Sequence, residues 1–176
     1  MTYPEPPVNG SEADTLVGSL ERQRATFAWK CADLDEAGLR ATVGTSSVTL
    51  GGLLKHLALM EDLNFTRALA GRPIDRDPDD DSQWTWVPAD TPEKLRQLWE
   101  DAVARSRDAV TEALADGGPG HLFRMPGGTE VSLRRLLVDM VEEYARHTGH
   151  ADLIRESVDG RVGEDPPGGP HPYVTR

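Results

Sequence analysis

Residues 132–160 read SLRRLLVDMVEEYARHTGHADLIRESVDG, and this stretch decides the fold class. Its apolar residues recur alternately four and three apart, which is the spacing of an α-helix that buries one face against other helices. Gly160 is a typical residue just beyond a helix end. We therefore predict a helix from about Val131 to Val158. Its buried face would consist of Leu133, Leu137, Met140, Tyr144, His147, Ala151 and Ile154.

Three further stretches show helical spacing, and segments rich in Gly, Pro and Asp separate them. Four amphipathic helices of this kind predict an all-α protein of the helix-bundle type. Residues 121–134, HLFRMPGGTEVSLR, are expected to form either a small hairpin or an irregular turn before the last helix. The three further helices are expected over about 12–33 after a cap at Ser11, over about 49–70, and from Thr91 to just before Gly117.

Length and charge limit the function classes. The chain has 176 residues, which suits a single domain, expected over 1–162, followed by a Pro/Gly-rich tail over 163–176 that includes His171. Nineteen Lys and Arg face thirty Asp and Glu, so the formal charge is -11. Such a surface repels phosphate backbones, which argues against nucleic-acid binding.

Apolar runs are short throughout the chain, so we expect no membrane span. The first ten residues, MTYPEPPVNG, lack the basic start and apolar run of a secretory signal, and we expect a cytoplasmic protein. Cys31 is the only cysteine, so a disulfide within the chain and a Cys-rich zinc site are excluded. Its place on the apolar face of the first helix favours a buried structural residue over a reactive thiol.

Several polar residues allow two interpretations. Arg24 interrupts the apolar face of the first helix. We favour the interpretation that its charged group reaches solvent, and the alternative is that it turns toward a buried acid or a substrate. Glu61 is expected to face solvent, and His121 to be an exposed loop residue. The acidic segment 71–90 is expected to be a solvated loop without the spacing of a calcium site, with Trp84 and Trp86 packing its far end against the helices.

The last predicted helix carries three groups that could bind a metal. Glu143, His147 and His150 are four and three residues apart, so they lie within an arc of roughly 60° beside the apolar face. His56 lies beside the apolar face of the second helix and could add a donor from a facing element. Such polar groups need partners inside a bundle, and a divalent metal would satisfy several at once. Two boundary histidines bonded to carboxylates remain the alternative interpretation.

Three segments together resemble a known family. They are LERQRATFAWKCADLDEAGLR, TLGGLLKHLALMEDLNF and the stretch quoted first. Over roughly residues 14–162 the chain is similar to the DinB-like superfamily of metalloenzymes, and more closely to a branch frequent in bacteria that use mycothiol. The resemblance implies an antiparallel four-helix bundle with a long connection between helices two and three, which matches residues 71–90.

The resemblance also implies a divalent metal held by one His on helix two and two His on helix four. His56 and His147 match two of these ligands. Glu143 occupies the remaining position, and His150 replaces a Gln of the family pattern. We therefore expect His56, Glu143 and His147 as metal ligands, with His150 as a fourth ligand or as a catalytic acid/base.

Relatives in this superfamily imply a function in which the metal activates a low-molecular-weight thiol. The leading hypothesis is a metal-dependent thiol S-transferase that acts on a small thiol and an electrophile, with zinc or nickel as the metal and mycothiol, or else bacillithiol, as the thiol. The alternative is a non-enzymatic, stress-related bundle that binds a small ligand or dimerises. Trp29, Trp99 and Phe65 could line its pocket or interface, although core packing is the ordinary expectation for each. A homodimer is an expectation under either hypothesis.

Overall fold

The computed structural model describes residues 4–77 and 81–166, and these are mostly helical, which confirms the predicted class. Residues 78–80 and the tail residues 167–176, including His171, lie outside the described residues. The helices are α1 (Glu12–Cys31), α2 (Glu36–Arg40), α3 (Leu50–Glu61), α4 (Pro92–Ala115) and α5 (Leu133–Asp159). A π-helix (Asp62–Leu69) continues α3, and single 3-10 turns occupy Asp81–Trp84 and Gly118–Gly120. Two short strands are β1 (Leu122–Arg124) and β2 (Glu130–Ser132).

The long helices begin and end where capping chemistry allows it. Ser11 and Asp14 form the reciprocal capping box at the start of α1. Thr91 accepts a hydrogen bond from the Lys94 amide, and Pro92 follows it as the first residue of α4. Gly160 adopts a left-handed conformation, φ 76°, directly after α5. These ends agree with the predicted boundaries to within about two residues.

Ion pairs show the directions of α1 and α5. Glu12, in the first turn of α1, pairs with Arg134 in the first turn of α5. Lys30, in the last turn of α1, pairs with Asp152 at 2.8 Å near the other end of α5. The two helices therefore run side by side in the same direction, and they share one of the largest contacts between elements.

α3 and α4 also run in the same direction. Gly51, in the first turn of α3, faces Leu95 in the first turn of α4, and Asp62 at the end of α3 pairs with Arg105 farther along α4. The connection between Ala70 and Pro92 must therefore return from one end of the molecule to the other, which explains its length.

A buried polar network links the four helices α1, α3, α4 and α5. Arg24 of α1 donates two hydrogen bonds to Glu61 of α3, at 2.8 and 2.6 Å, and Glu61 accepts a third from Tyr144 of α5 at 2.7 Å. The Trp99 indole in turn donates to the Tyr144 hydroxyl at 2.8 Å. Arg24 and Glu61 are 3% and 0% exposed, so the predictions of a solvent-reaching Arg24 and a solvent-facing Glu61 are wrong. Each compensates the charge of the other in the interior.

Two small elements complete the fold. β1 and β2 form the antiparallel hairpin that was one of the two expectations for this segment, with Phe123 opposite Val131 and packed into the core. His121, just before β1, is only 20% exposed and lies 3.4 Å from an Asp116 carboxylate oxygen, so the prediction of an exposed histidine is wrong. The five-residue helix α2, capped by Asp35, is absent from the sequence prediction.

No helix among the described residues is both long enough and apolar enough to cross a membrane. The cytoplasmic location, the homodimer and the domain bounds stay predictions.

Candidate metal centre

Three side chains from two helices meet at one point between α3 and α5. Nε2 of His56 lies 2.9 Å from Oε1 of Glu143, and Nε2 of His147 lies 3.1 Å from the same oxygen. One donor atom from each residue lies within 4.8 Å of the others. The side chains are 13%, 25% and 11% exposed, so the cluster is largely shielded from solvent.

The helix spacing produces this convergence. Glu143 and His147 are four residues apart on α5 and therefore lie one above the other on the same face. His56 projects from α3 across the interface between the two helices, and its ring packs edge-on against the His147 ring at a centroid distance of 4.7 Å. The predicted donors His56, Glu143 and His147 are thus close together in the fold.

The other ring nitrogen of His56 contacts the connection between α3 and α4. Its Nδ1 lies 3.1 Å from Oε1 of Gln83, and the Trp84 ring stacks on the imidazole at 4.6 Å with an angle of 28°. A carboxamide oxygen only accepts hydrogen bonds, so Nδ1 of His56 carries the hydrogen. Nε2 then faces Glu143 either with a second hydrogen or, where a cation replaces that hydrogen, with its lone pair.

His150 lies behind His147 rather than among the three donors. Nδ1 of His150 is 3.4 Å from Nδ1 of His147, on the side of that ring away from Glu143, and the His150 ring is exposed. Of the four predicted site residues, the structure therefore brings three together, and it places the fourth against the outer nitrogen of one of them.

Electrostatics within the cluster favour an ionised carboxylate beside a neutral imidazole. Burial raises the pKa of Glu143, but the His56 hydrogen bond and the charges of His147 and His56 outweigh it, so the net pKa lies below its ordinary value. Burial lowers the pKa of His147, and attraction to Glu143 only partly opposes this effect. At neutral pH the cluster accordingly offers a carboxylate and a neutral imidazole, the protonation states that metal ligands require.

The donor set fits a divalent cation. The Nε2 lone pair of neutral His56 and the Glu143 carboxylate are both hydrogen-bond acceptors, so a separation of 2.9 Å requires a proton or a cation between them. Ligands about 2.0–2.1 Å from a tetrahedral zinc ion are roughly 3.3 Å apart. The two distances from the histidine Nε2 atoms to Oε1 of Glu143, 2.9 and 3.1 Å, are close to this value. Two imidazoles and one carboxylate suit zinc and also nickel, iron or manganese.

Sequence reasoning missed the contact of Gln83 with His56. Trp84 was expected to pack the connection against the helices, but its stacking on His56 was not foreseen. The available signal was an aromatic residue inside an unusually long polar connection, and this does not identify the residue it contacts.

The remaining candidates lie in the core, apart from the partly buried Trp29. Cys31 is 1% exposed, and burial raises the pKa of its thiol far above the ordinary value, as expected for a structural cysteine. Phe65 and Trp99 are also buried, and Trp99 packs edge-on against Phe27. Trp29 lies under the cations of Lys30 and Arg161. None of these aromatic residues lies at the metal centre.

The fold and the cluster together define a class of protein, a mainly helical chain that brings histidine and carboxylate donors together between two helices. A family model described as mycothiol-S-transferase matches residues 15–160. The chain therefore belongs to this family, the mycothiol-associated branch of the DinB-like proteins. No curated protein matches the chain.

Proposed function

We propose that this protein is a metal-dependent mycothiol S-transferase with His56, Glu143 and His147 as the protein ligands of one divalent cation. The observation that carries the proposal is the convergence of these three donors, within 4.8 Å, from two helices that are not adjacent in sequence. Membership of the mycothiol-S-transferase family supports mycothiol as the thiol substrate.

The proposed site has the ligand count of a catalytic centre. Two histidines and one glutamate are a donor set found in catalytic zinc sites, where three protein ligands leave a position open for water or substrate. We infer zinc or nickel as the ion. An antiparallel four-helix bundle of α1, α3, α4 and α5 is part of the same proposal. A long connection between the second and third of these helices makes that pair parallel and also makes the first helix parallel to the last. The ion pairs of α1 with α5 and of α3 with α4 agree with this arrangement.

The reaction requires a nucleophilic sulfur at neutral pH. A bound divalent cation would supply it by holding a coordinated thiol in its deprotonated form. In the transfer, the sulfur forms a bond to the carbon of the electrophile, the bond from that carbon to its leaving group breaks, and the electron pair departs with the leaving group. The thiol proton is released, so one thiol and one electrophile give one thioether and one acid.

The chain's own residues would position the reactants and move the proton. His150 is the proposed acid/base, because its exposed ring contacts His147 and can exchange a proton with solvent. Trp84 is 38% exposed and forms an aromatic wall beside His56, which shields one side of the centre from water. The low exposure of His56 and His147 has the same effect.

A conjugation assay tests the proposal. Mycothiol and an electrophile such as monochlorobimane are incubated with the protein and zinc or nickel, and thioether formation is followed by fluorescence. We expect His147→Ala to lower the rate by about 100-fold or more with the fold retained, as judged by circular dichroism. His121→Ala removes a histidine near the start of α5 and is the matched control, for which we expect an unchanged rate.

A rate that His147→Ala leaves unchanged would contradict the proposed site. The alternative of a non-enzymatic binding protein would be favoured if no transfer with mycothiol is observed and a small ligand still stabilises the folded protein against unfolding.

A further inference from the structure

The 81–90 segment is the part of the connection between α3 and α4 that contacts the candidate metal centre. Its 3-10 turn places Gln83 and Trp84 on His56 at the same time. Gln83 accepts the hydrogen of Nδ1, and the Trp84 ring lies against the face of the imidazole. One segment therefore contacts both the edge and the face of the His56 ring.

Lys55, the residue before His56, holds this segment on α3. Its ammonium group donates to the Ser82 carbonyl at 3.0 Å, to the Thr85 carbonyl at 2.5 Å and to the Asp90 carboxylate at 2.8 Å. An ammonium group has three hydrogens, so these partners satisfy it fully. Lys55 is 7% exposed, and a buried cation with three fixed partners restrains the backbone that carries them.

Two glycines allow the 81–90 segment to lie close to α3. A Cβ atom on Gly52 would be 3.5 Å from the Trp84 ring, and a Cβ atom on Gly51 would be 3.2 Å from the Trp86 ring. The first distance is an ordinary van der Waals contact, whereas the second is tighter than most contacts of a Cβ atom, so a side chain at residue 51 would require the Trp86 ring to shift. Asp90 also accepts from the Val87 amide, which closes the end of the segment.

We propose that the 81–90 segment is a positioning element of the metal centre. Gln83 and Trp84 hold His56 with its Nε2 directed at Glu143, and Lys55 holds the segment in place. The inference rests on the proposed metal site, and it assigns these three residues as positioning residues that do not themselves bind the ion.

The physical reason lies in the mobility of an imidazole side chain. A histidine has two side-chain torsions and two tautomers, and only one tautomer presents a lone pair at Nε2. The hydrogen bond from Nδ1 to Gln83 selects that tautomer, and the stacking with Trp84 limits rotation of the ring. Groups in this position behind a metal-bound histidine commonly set metal affinity.

Metal affinity of Gln83 variants tests the inference. Gln83→Met removes the acceptor at similar side-chain length, Gln83→Glu retains an acceptor, and Gln97→Met makes the same change at an exposed residue of α4. Zinc affinity is measured by competition with a chromophoric chelator, and the absorption spectrum of the cobalt-loaded protein reports ligand geometry. We expect an affinity about 10–100-fold weaker for Gln83→Met, and an altered cobalt spectrum. Gln83→Glu and Gln97→Met are expected to bind like the unmodified protein or tighter.

Lys55→Met tests the restraint itself, with Lys94→Met as the matched control. Lys94 is exposed and, among the contacts of the described residues, donates only to the Ala89 carbonyl at 3.2 Å, so Lys94→Met removes one exposed hydrogen bond to the same segment and no buried charge. We expect faster zinc dissociation from Lys55→Met than from Lys94→Met, and equal rates would overturn the role of Lys55. Thermal unfolding is measured for both variants, and the Gln83 variants decide the inference if Lys55→Met does not fold.

The outcomes separate this inference from the proposed function. Zinc binding by the unmodified protein and equal binding, within about twofold, by Gln83→Met would overturn the inference and leave the proposed function intact. Failure of the unmodified protein to bind any divalent metal would overturn the proposed function. The His56 tautomer in the metal-free protein, read from nitrogen-15 chemical shifts, then decides the positioning role. We expect a hydrogen on Nδ1 in the unmodified protein that Gln83→Met removes from a measurable fraction of the molecules, and identical Nδ1 shifts in both proteins would overturn the inference.

Discussion

Cys31 shows at the residue scale that the protein does not carry its own reactive sulfur. The side chain is 1% exposed on the inner face of α1, and burial raises the pKa of the thiol because the charged thiolate would lose its hydration. The neighbouring cations Arg155 and Arg96 oppose this effect without reversing it. A thiol transferase built in this way must take its sulfur from a substrate.

We expect Cys31 to be inert in the folded protein. Its reaction with a disulfide reagent such as dithionitrobenzoate should be about 100-fold slower or more without denaturant than in concentrated urea, because only the unfolded chain exposes the thiol. Absorbance of the released thiolate gives both rates. Equal rates under the two conditions would contradict the burial of Cys31.

Arg24 and Glu61 connect α1 to α3 at the scale of the elements. Both side chains are almost fully buried, and the guanidinium forms two hydrogen bonds to the carboxylate. Removing one partner of such a pair leaves an uncompensated buried charge, which is costly even where the pair itself adds little net stability.

We expect Glu61→Gln to lower the free energy of unfolding by about 3 kcal/mol, because Arg24 loses its fully buried charge partner and keeps only the partly exposed Glu21. Glu36→Gln is the matched control, since Glu36 pairs with Arg40 on the exposed surface of α2. Its effect should be below about 0.5 kcal/mol. Urea unfolding followed by tryptophan fluorescence measures both, and similar values for the two variants would contradict this account.

The boundaries of the long helices were predictable from the sequence because local chemistry sets them. Ser11, Thr91 and Gly160 act through hydrogen bonds or backbone conformation within a few residues of each helix end. Residues Asp62–Leu69 were expected to be helical, but the wider π-helical hydrogen bonding was not expected, because no residue type marks it. The helix α2 is too short to show a helical period.

The partners of the polar residues were less predictable because they are distant in sequence. Arg24 and Glu61 each interrupt or border an apolar face, and spacing alone did not reveal that each is the partner of the other. The convergence of His56 with the donors of α5 was predictable, because inward-facing side chains on separate helices of a bundle project into the same interior. The contact of Gln83 with His56 depends on the path of a long connection, which no periodic pattern describes.

The whole molecule depends on charge pairs between helices despite its excess of acidic residues. Glu21 of α1 accepts hydrogen bonds from Arg107 of α4 and from Arg24. Burial raises the pKa of Glu21, but Arg107 and Arg24 together outweigh this effect and hold it below its ordinary value of 4.5. The folded state therefore binds a proton at Glu21 less readily than the unfolded chain.

The sign of the pH dependence follows from this difference. The stabilisation from Glu21 is fully present above pH 4.5 and is lost as the pH falls through the lower pKa of the folded state. We expect the free energy of unfolding of Glu21→Gln to fall less steeply with acidification below pH 4.5 than that of the unmodified protein. Urea titrations at several pH values compare the two, and parallel curves would exclude this contribution of Glu21.

Metal content is the most direct measurement of the central claim, that His56, Glu143 and His147 form one divalent metal site. The protein is purified without a histidine tag, and bound metals are quantified by mass spectrometry together with those of His56→Ala and Glu143→Ala. The account predicts about one equivalent of zinc or nickel in the unmodified protein and a loss of most of it in both variants. Less than about a tenth of an equivalent of any transition metal in the unmodified protein, or an occupancy that neither variant changes, would contradict it.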